Sequence, residues 1–186
     1  MSDDSNSPVN KPVKLLRWIG FLFAVALGVV FAIGSSTALE TTNTEEFCTS
    51  CHSMQWVKQE WMESYHYKNA SGVRAGCPDC HVPHSLGPKL YAKVMAAKDV
   101  WGEIMGTIDS EEKFEQHRWK MANRVWAKME ATDSRECRSC HSFESMDPSE
   151  QEKQSRKKHK RAQKQGKTCI DCHKGVAHKE PSEPDA

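Results

Sequence analysis

CPDCH at residues 77–81 is one of four copies of a single pattern, the others being CTSCH at 48–52, CRSCH at 137–141 and CIDCH at 169–173. Together they account for all eight cysteines of the chain: Cys48, Cys51, Cys77, Cys80, Cys137, Cys140, Cys169 and Cys172. Each pair is followed at once by a histidine, namely His52, His81, His141 and His173. Two thiols three residues apart share one side of a helical turn and can bond the two vinyl groups of one porphyrin. The next residue then sets an imidazole beneath the iron, so C-x-x-C-H reads as c-type haem attachment. Zinc ribbons also use paired C-x-x-C units, but they usually join pairs about 15–20 residues apart. The intervals from Cys51 to Cys77 and from Cys140 to Cys169 are longer, and zinc gives no reason for four histidines. Disulfides suit an extracytoplasmic protein but leave the histidines equally unexplained. Four covalently bound haem c groups are expected.

Composition agrees with that reading. Apolar residues make up 38% of the 186, below the roughly 45–50% of ordinary soluble domains, and mean hydropathy is −0.71. A chain this polar cannot offset its conformational entropy by burying side chains alone. Four apolar macrocycles would supply the missing core, and a haem-free domain is expected to be largely unfolded. The formal net charge of +1 points to no nucleic-acid partner.

Outside the motifs stand His66, His84, His117, His159 and His178. Low-spin haems commonly take two strong axial ligands, so distal histidines are wanted. His66, His84, His159 and His178 are the candidates, with His81, His141 and His173 as proximal ligands. His117, on an expected helix, reads as an ordinary surface side chain. Met54, in CTSCHSM, is a second candidate ligand to the first haem iron, the alternative being His52.

Residues 18–39 carry no charge and are long enough for the roughly 20 residues of a membrane-spanning helix. Lys11, Lys14 and Arg17 precede them and Glu40, Glu45 and Glu46 follow, which places the N-terminus in the cytoplasm by the positive-inside rule. Ser36-Thr37-Ala38 resembles a signal-peptidase site, but the apolar core exceeds the usual length of about 7–15 residues, so a retained anchor is expected. The organisation that follows is a cytoplasmic tail (1–17), a single anchor (18–39), a periplasmic tetrahaem domain (40–178) and a disordered tail (179–186). The domain reads as two dihaem halves, 40–84 and 132–178, joined by helices within 86–131. Leu90, Val94, Ala97, Trp101 and Ile104 form an apolar stripe at helical spacing. Asp109 or Ser110 caps a second helix whose apolar face uses Phe114, Met121, Val125 and Met129. No stretch alternates with period two, so the fold class is mostly α with little or no sheet. The run 153–167, KQSRKKHKRAQKQGK, reads either as a solvated face or as a docking face for an acidic partner or anionic lipid.

CTSCHSM, YHYKNASGVRAGCPDCHVPH, KVMAAKDVWGEIMGTID, ECRSCHS and KTCIDCHKGVAH together resemble the NapC/NirT family of membrane tetrahaem cytochromes, and NapC and NirT sequences most of all. The likeness runs from the anchor to about His178. It implies a quinol dehydrogenase of the bacterial inner membrane that hands electrons to a periplasmic terminal reductase or its cytochrome subunit in anaerobic respiration. It implies menaquinol or ubiquinol as substrate, and it allows a homodimer. By the same resemblance, Met54 matches the methionine that binds the first haem in NrfH members. His66, His84, His159 and His178 match the family's distal ligands. Lys93 and Asp99 match positions implicated at the quinol site, where many NapC sequences carry Glu in place of Asp99. On an ideal helix these two do not share a face. A cytochrome-to-cytochrome relay without a quinone site, and a terminal reductase with an open first haem, are the rival readings.

Overall fold

The computed structural model describes residues 10–183. Two compact units part between Thr42 and Asn43. The first is one helix, α1 (Asn10–Thr41), about 48 Å long at 1.5 Å per residue. It holds a window of mean hydropathy 2.3, and its apolar side chains from Val13 to Ile33 are exposed all round the helix. A helix apolar on every side and unpacked is the form a lipid-facing span takes. It begins eight residues before Trp18, so part of the expected cytoplasmic tail is helical. Residues 1–9 of that tail and 184–186 of the C-terminal one lie outside the described residues.

The second unit is built from helices alone, with no strand among the described residues. In order these are α2 (Glu45–Cys48), α3 (Met54–Met62), α4 (Cys77–His81), α5 (Leu86–Ile104), α6 (Glu111–Ala131), α7 (Arg135–Arg138) and α8 (Lys153–Lys164), followed by a 3₁₀ turn at Cys169–Asp171. Ser110 caps α6 by accepting the Lys113 amide at 3.3 Å. Thr44 caps α2 through the Phe47 amide at 3.2 Å.

The apolar core is thin. Trp61, Phe114 and Ile170 are its buried hydrophobic side chains. Trp61 stands edge-on to Tyr67 at 4.6 Å and donates to the Ala75 carbonyl. Phe114 meets Trp56 at 5.2 Å. Three such side chains contribute on the order of 5–9 kcal/mol, against about 1–2 kcal/mol of backbone entropy for every residue ordered.

Helix α6 turns Phe114, Met121, Val125 and Met129 inward as its periodicity requires. Helix α5 does the reverse. Its half-buried residues include Lys89, Ala92, Lys93, Gly102 and Glu103, while Leu90, Val94, Trp101 and Ile104 of the expected apolar stripe are exposed, Val94 and Ile104 to 70%.

Candidate haem-binding sites

The second, third and fourth motifs are each a single turn that the local sequence stabilises, whereas the first leaves the end of α2 at Cys48 and runs on through turn and bend to α3. In the second, the Gly76 amide donates to Asp79 at 2.7 Å and Pro78 sits in the first turn of α4, where its missing N–H costs nothing. In the fourth, Thr168 donates to Asp171 through its amide at 2.7 Å and its hydroxyl at 2.9 Å. The third closes through the His141 amide on the Cys137 carbonyl at 2.8 Å, and the fourth through His173 on Cys169 at 2.9 Å. The aspartates of C-P-D-C and C-I-D-C are thus caps. A carboxylate in the first turn of each of these motifs is the sequence signal for them.

The four turns follow one another in space as in sequence. Cys77 lies within the electrostatic reach of Cys48, Cys80 of Cys137 and Cys140, and Cys137 of Cys169, and each neighbour raises the thiol pKa beyond what burial does. Burial is the larger cause throughout, and it pushes Cys80 up to about 11. None of the eight cysteines is in a disulfide.

Three histidine pairs decide how well these residues suit haem. His81 faces His178 with ring centres 6.2 Å apart, His141 faces His66 at 6.3 Å, and His173 faces His159 at 5.9 Å. Two metal–nitrogen bonds of about 2 Å, each continued by roughly 1 Å from ring nitrogen to ring centre, span about 6 Å. Every pair therefore has the separation of two imidazoles on opposite sides of one iron. Among the described residues no group of three or more His, Cys, Asp or Glu side chains could hold a metal ion by itself. Two opposed nitrogens per motif are what a porphyrin asks of a protein, since the ring supplies the other four ligands.

The partner nitrogens are also oriented. His66 Nδ1 lies 3.3 Å from the Val176 carbonyl and His159 Nδ1 lies 2.8 Å from Gln151 Oε1, which leaves Nε2 free on each ring. His178 Nδ1 is buried without a hydrogen-bond partner. Desolvation lowers the His178 pKa, with the Glu60 carboxylate and then the Val57 backbone opposing it. His81 is the most deeply desolvated, its pKa lowered to about 4 with His178 and Lys128 adding to the effect. The residue nonetheless keeps exposed surface. A neutral imidazole with a free lone pair is the form that binds metal.

The segment bearing His178 is clamped. Arg118 donates to Glu60 at 2.6 Å and to the Lys179 carbonyl at 2.7 Å, and the Lys179 amide donates to the same Glu60 oxygen at 3.1 Å. The Arg118 and Glu60 side chains are only 11% and 10% exposed. Both backbone groups of the residue after His178 are held, although the sequence assigned Lys179 to the tail. A second tie joins the third and fourth motifs. Ser134, fully buried and left-handed at φ 48°, accepts the Ile170 amide at 3.1 Å. A non-glycine residue held there, with Asp133 beside it at φ 52°, stores strain that the surroundings must outweigh.

Of the four expected distal histidines, His84 is the one outside these pairs; it is exposed. The first motif has no facing histidine among the described ring contacts. His52 is exposed and meets Trp56 edge-on at 5.6 Å, and Met54 is half-buried at the start of α3. Lys93 lies close enough to Cys48 for the two to interact, with desolvation lowering the Lys93 pKa and Cys48 opposing it. Asp99 forms an exposed ion pair with Arg124 at 3.8 Å. The carboxylate of α5 that touches the first motif is Glu103, which accepts from the Ser53 hydroxyl at 2.5 Å and its amide at 3.5 Å. Ser53 is buried between His52 and Met54. Glu103 carried no signal of its own in the sequence beyond sharing a helix with Lys93.

Residues 11–183 match the model of the NapC/NirT cytochrome c family, N-terminal region. A putative tetrahaem cytochrome-c type protein of Allochromatium vinosum is 61% identical, the alignment covering 85% of this chain and 86% of that one. The cytochrome c-type protein NapC of Escherichia coli K12 is 54% identical over 94% of this chain and 86% of its own length. The denitrification system component NirT of Stutzerimonas stutzeri is 53% identical over 86% and 80%. No solved structure matches.

Proposed function

Since the chain belongs to the NapC/NirT family of c-type cytochromes, as a membrane-anchored electron-transfer protein with haem c, we propose that it oxidises membrane quinol, menaquinol or ubiquinol, and passes the electrons to a periplasmic terminal reductase of the nitrate or nitrite type. When bound, each haem supplies a one-electron iron couple set by its axial ligands and surroundings.

The chain's own residues do the rest. The four cysteine pairs fix the porphyrins covalently. His81 with His178, His141 with His66 and His173 with His159 would hold the irons of the second, third and fourth haems. Their 5.9–6.3 Å separations support that assignment. Met54, with His52 as the alternative, serves the first haem. His84 is not needed in the three pairs.

The observation that carries the quinol reading is Lys93, half-buried beside Cys48 of the first motif, on a helix whose apolar stripe is open. A lipid-soluble quinol has apolar surface to approach along and a cation to hold its oxygen. Oxidation of one quinol to quinone releases two electrons and two protons. Asp99, with its carboxylate in solvent contact and only loosely paired to Arg124, accepts a proton and passes it to water. The charges flanking α1 support an N-terminus in the cytoplasm, with the haem domain in the periplasm.

The test is anaerobic reduction of the oxidised, detergent-solubilised protein by a menaquinol or ubiquinol analogue, read in the haem absorption bands. Prompt reduction that a quinol-site inhibitor blocks, and that Lys93→Ala or Asp99→Ala slows at least tenfold, is the expected result. Haems that dithionite reduces but quinol does not would make the protein a relay fed by another cytochrome. Unchanged rates in both variants would move the quinol site elsewhere.

A further inference from the structure

The helix that carries the fourth motif's distal histidine is also the most basic element of the chain. Seven of the twelve residues of α8 are Lys or Arg and none is acidic. Ser155, His159 and Ala162, at helical spacing, form its half-buried side, and all seven cations are exposed. None has an ion-pair partner among the described residues; Arg156 reaches only the Ser149 and Gln151 carbonyls, at 3.4 and 3.1 Å. Lys153 with Lys157, Arg156 with Lys160, Lys157 with Arg161 and Lys160 with Lys164 stand four residues apart. Like charges at that spacing destabilise a helix, and Lys153 opposes the helix dipole at the N-terminal end. The nearby acids Asp147, Glu150 and Glu152 precede the helix; Asp147 feels Arg156, and none of the three lies within α8.

We propose that the outward face of α8 is the docking surface for an acidic redox protein, seated against the fourth motif. This rests on the reading of His159 and His173 as that haem's axial pair. A partner taking electrons there must approach elements that hold the ligands, and α8 holds one of them. Exposed cations on the helix that carries that ligand would steer an acidic surface to it and repel a basic one. An anionic bilayer would satisfy the charge equally well, but it accepts no electron and gives no reason for the basic face to coincide with a haem ligand.

The test uses the full-length, haem-loaded protein in neutral detergent. An acidic blue-copper protein serves as probe, with a basic mitochondrial-type cytochrome c as the charge control. Lys157→Glu/Lys160→Glu/Lys164→Glu is the variant, since Glu and Lys have similar helix propensity. It must keep its low-spin haem spectrum. The expected result is binding of the copper protein that weakens about tenfold or more as salt rises to physiological strength. The variant should lose that binding and gain affinity for the basic cytochrome. Acylation of Lys157, Lys158 and Lys160, followed by mass spectrometry, should slow when the copper protein is present. Equal affinity of wild type and variant, or salt-independent binding, would overturn the proposal. So would protection of the same lysines by phosphatidylglycerol–phosphatidylcholine vesicles in place of the copper protein, which would make α8 a lipid contact. Quinol-driven haem reduction, measured on the same samples, separates the two readings: reduction without charge-selective docking sinks only this one.

Discussion

Replacing Arg118 by methionine tests whether the buried ion pair holds a haem ligand. The substitution keeps most of the side-chain length and its packing on Phe114, whose ring centre lies 5.9 Å from the guanidinium. It removes the charge facing Glu60 and the donor to the Lys179 carbonyl. Glu60, 10% exposed, is left with the Lys179 amide as its donor at 3.1 Å. Breaking a buried pair from one side costs about 3–5 kcal/mol. If most of that falls on the segment after Gly175, His178 leaves its place opposite His81 several hundredfold more often, at about 1.4 kcal/mol per tenfold. One haem then becomes high-spin and binds carbon monoxide beyond whatever the wild type shows, and added imidazole restores it. Glu115→Gln removes the other, half-exposed partner of Arg118 and should cost under about 1 kcal/mol with no spin change. The double variant Glu60→Gln/Arg118→Met should recover part of the loss, because no lone charge remains buried. A folded Arg118→Met protein with wild-type spin states and carbon monoxide reactivity would refute the clamp.

Three further outcomes are expected. Ser134→Ala strips the Ile170 amide of its acceptor in a fully buried position and should lower stability by about 1–3 kcal/mol, measured by denaturant unfolding of the haem-loaded protein. Glu103→Gln weakens the charge-assisted bond to Ser53 and should shift the midpoint potential of the first haem alone; an unshifted potential would show that α5 does not bias that motif. Protein made without haem attachment should show helical circular dichroism chiefly from α1 and no cooperative melting, because the buried apolar side chains among the described residues are few, chiefly Trp61, Phe114 and Ile170.

The motifs, the anchor and the helical class were legible because each depends on local order: spacing within a turn, length of an apolar run, absence of period two. The capping aspartates Asp79 and Asp171 were legible too, since a carboxylate in the first turn of a helix is a local device. The histidine pairings were not. His66 meets His141 and His81 meets His178 across chain separations that no spacing rule reaches, and near neighbours such as His81 and His84 stay unpaired. The clamp on Lys179 escaped for the same reason, its parts coming from α3, α6 and the chain end.

Helix α5 marks a different limit. Its period was read correctly, but periodicity says only that two faces differ, not which one the protein covers. An ordinary soluble domain would cover the stripe of Leu90, Val94, Trp101 and Ile104. This one covers Lys93 and Glu103 and leaves the stripe open. A domain whose apolar filling is to come from haem has little apolar side chain to spare for its interior. What it buries instead is polar and directed: Glu103 on Ser53, Arg118 on Glu60, Ser134 on Ile170. Each of these ties a motif or a ligand-bearing segment to a neighbouring helix. Polar contacts add little net stability apiece, but they are directional where apolar packing is not. That suits a protein whose working parts must be held at iron–ligand distances by a scaffold with almost no core.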